Sequence, residues 1–225
     1  MTPTAEQAVA LPRSAKPHSI LRADPFGVFH RIEPAVAAIA LFAAAPLLFA
    51  VALVILVLAR RTPLVRHRRV GWRGEELPVL KLRTMWEPGQ RWRSVFRIEE
   101  VSNVLPAAKS EADGRVTSRF AAWCRRYSID EIPQLYHVMR GRMSLVGPRP
   151  ITLEELEQHY GSSIHAVLSL RPGLTGLWQM RGRSRLTYAQ RRRLDVWLAA
   201  HASPGLYLWI LWRSIPVVLR GQDAY

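Results

Sequence analysis

"PAVAAIALFAAAPLLFAVALVILVLA", residues 34–59, is the most informative stretch of the sequence, because its 26 residues are mostly apolar and carry no charge. About 20 predominantly apolar residues are enough for a helix to cross the hydrocarbon core of a bilayer. Pro46 lies near the middle, where its missing N–H and its ring favour a bend or a break. The segment therefore belongs in a membrane. A re-entrant hairpin, which enters and leaves on one side, is the alternative to a helix that crosses.

Basic residues flank this segment on both sides. His30 and Arg31 precede it, and Arg60, Arg61 and three arginines between residues 66 and 69 follow it. A crossing helix keeps most of its flanking positive charge on one side of the membrane. Charge at both ends therefore favours the hairpin, although the following side is the richer one.

The charge of the whole chain is strongly basic, with 32 Lys and Arg against 17 Asp and Glu and a formal net charge of +15. This indicates an anionic partner such as lipid headgroups, nucleic acid or a phosphorylated substrate, and charge alone does not choose among them. Most of the cations are arginine, which suits bidentate contact with phosphate, although codon bias explains the same composition equally well. The single cysteine, Cys124, excludes an internal disulfide framework and a multi-cysteine zinc site.

A second informative stretch is "SIDEIPQLYHVMRGRMSLVGPRP", residues 128–150. Asp130 and Glu131 stand at the head of a predicted helix, which we expect to begin at Asp130 or later. There a carboxylate either caps the backbone or faces a ligand, and the local pattern alone favours the cap. The prolines on both sides of Arg149 hold it in an extended, stiff loop, which suits a bidentate grip on phosphate.

Two further loops present arginines on glycine-containing turns. "RPGLTG" at 171–176 contains Arg171, and "RGRSR" at 181–185 contains Arg183. Adjacent carboxylates among such arginines fit phosphoryl transfer, in which one carboxylate attacks phosphorus and its neighbour holds Mg²⁺. The spacing does not say which carboxylate does which, and structural ion pairs would give the same pattern.

Three other elements follow from local patterns. "ELPVLKLRTM" (76–85) predicts a short strand. Thr152 and Glu155 have capping-box spacing and Gly161 is a stop signal, so a helix with a solvated charged face is expected between them. The tail at 206–221 is apolar almost all round and rich in tryptophan, which predicts an element lying at a membrane interface.

The blocks "KLRTM", "SIDEIPQLYHVMRGRMSLVGPRP", "RPGLTGLWQMRGRSRLTYAQRRRLDVW" and "PVVLRG" together resemble the bacterial sugar transferase family, the monotopic phosphoglycosyl transferases. The resemblance implies an α/β, mostly helical monotopic membrane protein. Its parts would be a re-entrant membrane helix kinked at Pro46 and a small cytosolic catalytic domain with interfacial amphipathic helices. We accordingly expect a disordered leader at 1–29, the membrane helix at 30–60 and the catalytic domain at 61–225.

The resemblance also implies an activity. Such an enzyme transfers a sugar 1-phosphate from a nucleoside diphosphate sugar, here expected to be a UDP-sugar, to polyprenyl (undecaprenyl) phosphate and releases UMP. This is the first membrane step of exopolysaccharide or glycoconjugate biosynthesis. We therefore expect a protein of the bacterial inner membrane with its catalytic domain on the cytoplasmic face, a possible homo-oligomer, and no nucleic-acid partner.

The family's functional positions map onto this chain as follows. The resemblance makes Asp130 the nucleophile that forms a covalent phosphosugar intermediate and Glu131 the residue that helps to hold Mg²⁺. Asp195 would orient or coordinate, with pairing to Arg191 or Arg192 at helical spacing as an equal alternative. Six basic residues are assigned to binding the diphosphate and the lipid phosphate: Lys81, Arg83, Arg125, Arg149, Arg171 and Arg183.

The chain departs from the family pattern at several positions. Arg142 and His137 replace the usual Asp and Asn, Ala45 replaces the Ser before the kink proline, and "DGRVT" replaces "DPRIT". Tyr207 stands where a second C-terminal aspartate is usual, which puts metal geometry or substrate choice in doubt. The rival interpretations are a non-catalytic membrane-anchored scaffold and a basic nucleic-acid-binding protein.

Overall fold

The computed structural model describes residues 24–86, 98–100, 118–181 and 186–221. Within these ranges the fold is mostly helical, as the sequence predicts. The α-helices are α1 Gly27–Ala59, α2 Arg119–Arg126, α3 Leu135–Met139, α4 Leu153–His159, α5 Ile164–Leu168, α6 Leu177–Arg181, α7 Tyr188–Ala200 and α8 Pro204–Arg220. Short 3₁₀ helices cover Trp72–Gly74, Ile129–Gln134 and Gly161–Ser163.

Two small sheets complete the fold. In the first, β1 (Leu64–Val70) pairs antiparallel with β2 (Glu76–Leu82) and parallel with β3 (Glu99–Glu100). In the second, β4 (Ser144–Val146) runs parallel to β5 (Gly173–Thr175). The strand predicted within 76–85 is therefore confirmed as β2.

The long apolar helix α1 is part of the protein core. Phe29 and the N-cap residue Phe26 belong to a cluster with α8. Ala37 belongs to a cluster with β2 and α3, and Val51, Ile55 and Ala59 belong to a cluster with α2. Residues 42–50 between these contacts are mostly exposed, including Phe42 at 84% and Phe49 at 74%. By length and composition α1 could cross a membrane. Both of its ends, however, pack on the same body of protein.

The bounds of α1 differ slightly from the sequence prediction. The helix begins at Gly27, inside the stretch assigned to the leader, and the leader before residue 24 lies outside the described residues. Pro46 lies inside α1, and the helix is assigned continuously on both sides of it. The kink at Pro46 and the re-entrant topology stay predictions.

Capping explains where two other helices begin. Thr152 accepts a hydrogen bond from the Glu155 amide and Glu155 accepts one from the Thr152 amide, so the predicted capping box is confirmed. Helix α4 ends at His159, before the predicted stop at Gly161. Helix α8 starts after a Ser203 cap, and its exposed face carries Leu208, Trp209, Trp212, Ile215 and Leu219.

Candidate active site

The two adjacent carboxylates lie on the 3₁₀ helix Ile129–Gln134. This helix begins one residue earlier than expected, and its N-cap residue, Ser128, makes no side-chain cap hydrogen bond. Asp130 lies in the first turn and is 8% exposed, while Glu131 is half-buried. Asp130 therefore lies one residue inside the helix and not at its N-cap position.

Two of the predicted basic residues meet Glu131. Lys81 Nζ, from the end of β2, donates to Glu131 Oε1 at 2.7 Å. Arg149 Nη2, from the loop after β4, donates to the same oxygen at 3.1 Å. The structure thus brings together four residues: Lys81, Asp130, Glu131 and Arg149. The two that are farthest apart in sequence, Lys81 and Arg149, are separated by 68 positions.

The electrostatics of this group are dominated by Arg149 and Glu131. The negative charge of Glu131 is the main reason that the pKa of Arg149 is raised, and Asp130 acts in the same direction, while burial opposes them. Arg149 therefore stays a cation beside both carboxylates. Two cationic donors on one oxygen make Glu131 a weaker nucleophile, since its electron density is already engaged in charge-assisted bonds.

His137 holds β2 in place next to these groups. The backbone amide of Leu80, which directly precedes Lys81, donates to His137 Nε2 at 3.2 Å. His137 is 3% exposed, and burial together with the charge of Arg142 lowers its pKa to about 4. The His137 ring is therefore neutral and accepts a hydrogen bond at Nε2. This bond fixes the end of β2, where Lys81 lies.

The Arg149 loop is fixed by close backbone packing. A Cβ on Gly147 would lie 2.2 Å from the carbonyl oxygen of Arg171, so only glycine allows β4 and the chain before β5 to approach this closely. The Arg149 guanidinium lies 5.9 Å from the ring centroid of Trp178, which is 7% exposed. The Pro-Arg-Pro loop therefore presents Arg149 from a rigid base.

Two other predicted phosphate ligands, Arg83 and Arg171, contact other groups in the structure. Arg83 is 6% exposed, and it donates to the carbonyl of Thr62 at 2.9 Å and to Glu99 at 2.8 Å. It therefore links the end of β2 to the residue two before β1 and to β3, and its contact with a phosphate stays a prediction. Arg171 lies 5.2 Å from the ring of Trp72, and it borders a groove beside the start of α1 instead of meeting Glu131.

The three remaining predicted ligands are Asp195, Arg125 and Arg183, and each lies in a different part of the chain. Asp195 is fully buried and accepts a hydrogen bond from the Tyr160 hydroxyl at 2.9 Å, and its role toward a substrate stays a prediction. Burial raises the pKa of Asp195 to about 7. Arg125 lies in the last turn of α2, which packs on the 3₁₀ helix of Asp130. Arg183 lies outside the described residues.

Sequence reasoning missed a buried carboxylate at the start of the membrane segment. Glu33 of α1 is 2% exposed, and its Oε1 accepts from Ser144 Oγ at 2.6 Å, the Leu145 amide at 2.6 Å and the Tyr207 hydroxyl at 2.5 Å. Tyr207, the most serious departure from the family pattern, thus joins α8 to α1. An acidic residue at the edge of an apolar segment was the available signal, because such residues carry a specific role by default.

A second group missed from sequence surrounds Glu155. Arg69 Nη1 donates to Glu155 Oε2 at 3.1 Å, and the Tyr188 hydroxyl donates to Oε1 at 3.3 Å. Glu155 therefore contacts β1 and α7, whereas Glu154 and Glu157 of α4 are exposed, as expected for its charged face. The guanidinium of Arg191 on α7 lies 4.7 Å from the Trp178 ring, the same ring that Arg149 approaches.

The carboxylate pair fits one of the arrangements in which proteins hold Mg²⁺. Among the residues that the structure describes, no group of three or more His, Cys, Asp or Glu side chains forms a metal cage. Mg²⁺ in phosphoryl-transfer sites is instead held by one or two carboxylates, water and the phosphates of the substrate. Asp130 and Glu131 beside Lys81 and Arg149 fit that second arrangement, in which a bound diphosphate completes the ligand set.

Comparisons with known proteins identify the family of the chain. Residues 28–221 match the profile of the family described as Bacterial sugar transferase. The chain is 40% identical over 167 residues to the Exopolysaccharide production protein ExoY of Sinorhizobium fredii, covering 71% of each chain. It is 37% identical over 171 residues to the undecaprenyl-phosphate galactose phosphotransferase of Salmonella typhimurium, covering 71% of this chain and 34% of that protein. It is 38% identical over 182 residues to the UDP-glucose:undecaprenyl-phosphate glucose-1-phosphate transferase of Caulobacter vibrioides, covering 78% of this chain and 61% of that protein.

Proposed function

Since the chain belongs to the bacterial sugar transferase family, we propose that this phosphoglycosyl transferase moves a sugar 1-phosphate from a UDP-sugar to undecaprenyl phosphate and releases UMP. The observation that carries the proposal is the pair Asp130 and Glu131, with Lys81 and Arg149 both bound to Glu131. The Salmonella and Caulobacter relatives are transferases that act on undecaprenyl phosphate, which supports the lipid acceptor, and the Caulobacter relative uses UDP-glucose, which supports the nucleotide donor. ExoY supports a role in exopolysaccharide production.

In the first half-reaction Asp130 is the nucleophile. A carboxylate oxygen of Asp130 forms a bond to the phosphorus that bears the sugar, and the bond from that phosphorus to the bridging oxygen breaks. The electron pair leaves with UMP, and a sugar phosphate remains on the enzyme as an acyl phosphate. Glu131 is the poorer candidate for this attack, because Lys81 and Arg149 both donate to its Oε1.

In the second half-reaction a phosphate oxygen of undecaprenyl phosphate attacks the same phosphorus. The bond between phosphorus and the Asp130 oxygen breaks, and the carboxylate is regenerated. Lys81 and Arg149 bind and orient the phosphoryl group in both half-reactions, since fixed cations favour the charge that develops on its oxygens. Mg²⁺, held by Glu131, would supply further neutralisation of the phosphate charge when bound.

The acceptor is a membrane lipid, so the site must lie at headgroup depth. Both ends of α1 pack on the same body of protein while residues 42–50 are mostly exposed, which supports a re-entrant helix over one that crosses. The tryptophans on the exposed face of α8 suit the membrane interface. In this proposal the protein is monotopic and its catalytic domain lies on the cytoplasmic face of the inner membrane.

The test is release of UMP from a panel of UDP-sugars by protein in lipid nanodiscs with undecaprenyl phosphate and Mg²⁺. Release is expected to require Asp130, so Asp130→Asn should abolish it, whereas the exposed Glu154→Gln is the matched control and should retain it. A sugar phosphate trapped on the protein without acceptor should map to Asp130. Full turnover by Asp130→Asn would exclude the nucleophile assignment, and no release from any donor would favour a non-catalytic scaffold.

A further inference from the structure

The carboxylate of Glu33 on α1 holds strand β4 in place. Its Oε1 accepts hydrogen bonds from Ser144 Oγ and from the Leu145 amide, each at 2.6 Å. Leu145 therefore gives its amide to α1, whereas its neighbours Ser144 and Val146 pair with β5. Strand β4 is thus fixed by backbone pairing with β5 and by a side chain of the long apolar helix.

Strand β4 leads directly into the loop that carries Arg149. Gly147 and Pro148 continue the hydrogen bonding to β5, with distances between amide nitrogen and carbonyl oxygen of 2.9 and 2.7 Å. The chain between β4 and Arg149 therefore has little freedom to move separately from the strand. Arg149 in turn donates to Glu131 Oε1 at 3.1 Å. A shift of β4 would accordingly move the Arg149 guanidinium relative to the carboxylate pair.

Glu33 is an expensive residue for this place if it contributes stability alone. It is 2% exposed and directly precedes the uncharged segment 34–59. A buried carboxylate loses its hydration, and apolar residues at such places often give equal or greater stability. Oε1 also accepts from the Tyr207 hydroxyl, which interacts with Ser144 as well, and Oε2 lies 3.9 Å from His30 Nε2. A carboxylate with these partners on both oxygens has one defined position, which is the property that a positioning residue needs.

Lys81, the other cation that donates to Glu131, has a comparable support. The amide of Leu80 donates to the buried ring of His137 at 3.2 Å. Each cation on Glu131 is therefore presented by a strand that a buried side chain from another element fixes. Accurate placement matters for such groups, because a displacement of about 1 Å can slow a reaction by about 10²-fold.

We propose that Glu33 is a positioning residue for the transfer reaction. It sets the place of Arg149 through β4, so contact between α1 and β4 is a requirement for full activity. The assignment rests on the proposed function, in which Arg149 orients the phosphoryl group. It adds a residue of α1 that acts through another residue and does not itself meet the substrate.

Four substitutions test this assignment. Glu33→Ala removes the acceptor of both β4 bonds, Glu33→Gln keeps an acceptor oxygen without the charge, and Ser144→Ala removes one of the two β4 bonds. Val167→Ala is the matched control, because it opens a cavity in a core cluster that contains no residue of α1 or β4. Each substitution is made in the wild type and in Arg149→Lys. Single-turnover UMP release is measured in nanodiscs at a temperature at which circular dichroism shows the variants folded.

We expect Glu33→Ala to slow UMP release by about 10- to 100-fold, the effect of misplacing one oriented group. Ser144→Ala should slow it by about tenfold or less, because the Leu145 amide still binds Glu33. Glu33→Gln should stay within about threefold of wild type, since its amide oxygen can accept the same bonds. Val167→Ala should release UMP at the wild-type rate while it lowers Tm.

The Arg149→Lys background separates positioning from general destabilisation. A lysine ammonium on a flexible stem does not depend on the exact direction of the loop. Glu33→Ala should therefore slow UMP release by less than about threefold in Arg149→Lys, because two residues that act through one contact have non-additive effects. A merely structural role for Glu33 would slow the reaction by the same factor in both backgrounds.

Two results would overturn the assignment. Glu33→Ala that releases UMP as fast as Val167→Ala would show that Arg149 does not depend on Glu33. Equal slowing in the wild type and in Arg149→Lys would show that Glu33 supports the fold in general. If Glu33→Ala does not fold, Ser144→Ala provides both comparisons. Wild-type protein that releases no UMP from any donor would remove the proposed function and this inference with it, so the two failures are distinguishable.

Discussion

Replacing Tyr207 with phenylalanine tests the connection between the membrane helix and the catalytic core. The substitution removes the hydroxyl that donates to Glu33 Oε1 at 2.5 Å, between two side chains that are each 2% exposed. The ring itself stays, and with it the stacking on Phe29 at 4.0 Å and the edge contact with Phe26 at 5.2 Å. Tyr207→Phe therefore measures the contribution of the hydrogen bond to Glu33 separately from that of the ring packing.

The magnitude follows from the kind of bond that is lost. A hydrogen bond to a charged group contributes about 1.5–3 kcal/mol. Ser144 and the Leu145 amide still donate to Glu33 in the variant, so the carboxylate keeps two of its three donors. We therefore expect a loss of about 2 kcal/mol in the free energy of unfolding, which corresponds to a fall of roughly 4–8 °C in Tm for a chain of this size.

The assay is thermal unfolding in nanodiscs, followed by intrinsic tryptophan fluorescence. Tyr136→Phe is the control, because the Tyr136 residue is 41% exposed. Removal of its hydroxyl should leave Tm within about 1 °C of the wild-type value. Glu33→Ala should lower Tm further than Tyr207→Phe, since it leaves three buried donors without their acceptor. If Tyr207→Phe unfolds at the same temperature as Tyr136→Phe, the bond to Glu33 does not stabilise the protein and the reasoning fails.

The remaining predictions concern the site and its support. Arg149→Lys keeps a charge but loses bidentate geometry, so kcat for UMP release should fall by about 10- to 100-fold with unchanged Tm; equal activity would refute the role. Because the pKa of His137 is lowered to about 4 from an ordinary 6.5, its stabilising effect should be complete above about pH 6.5 and decline toward pH 4, and denaturant titrations of His137→Asn should lack this decline. Chelation of Mg²⁺ should stop UMP release without unfolding the protein. With Cys124 replaced, cysteines at the exposed positions Val28 and Arg60 should both be labelled from the cytoplasmic side, and labelling of either from outside would indicate a crossing helix.

The departures from the family pattern have structural explanations at two positions. Tyr207 is buried and donates its hydroxyl to Glu33, so at this position the chain has a bond that attaches α8 to α1. His137 accepts the Leu80 amide and supports the strand that ends in Lys81. Neither residue removes a group from the candidate site.

The sequence by itself determined the features that depend on local pattern. The length and apolarity of the segment at 34–59 specify a membrane-associated helix, because transfer of apolar surface depends on composition alone. The capping box at Thr152 and Glu155 specifies where α4 begins, because both of its hydrogen bonds join residues three apart. The motif around Asp130 and Glu131 specifies the family and the carboxylate pair.

Only the tertiary structure decided which charges act together. Lys81 and Arg149 meet on Glu131, whereas Arg83, which is similar in sequence context, turns to Glu99 and the Thr62 carbonyl. Glu33 and Tyr207 are 174 positions apart, so no local pattern could pair them. An ion pair or a buried hydrogen bond is set by distance and burial in the folded chain, and those quantities arise from packing between elements that the sequence order does not place side by side.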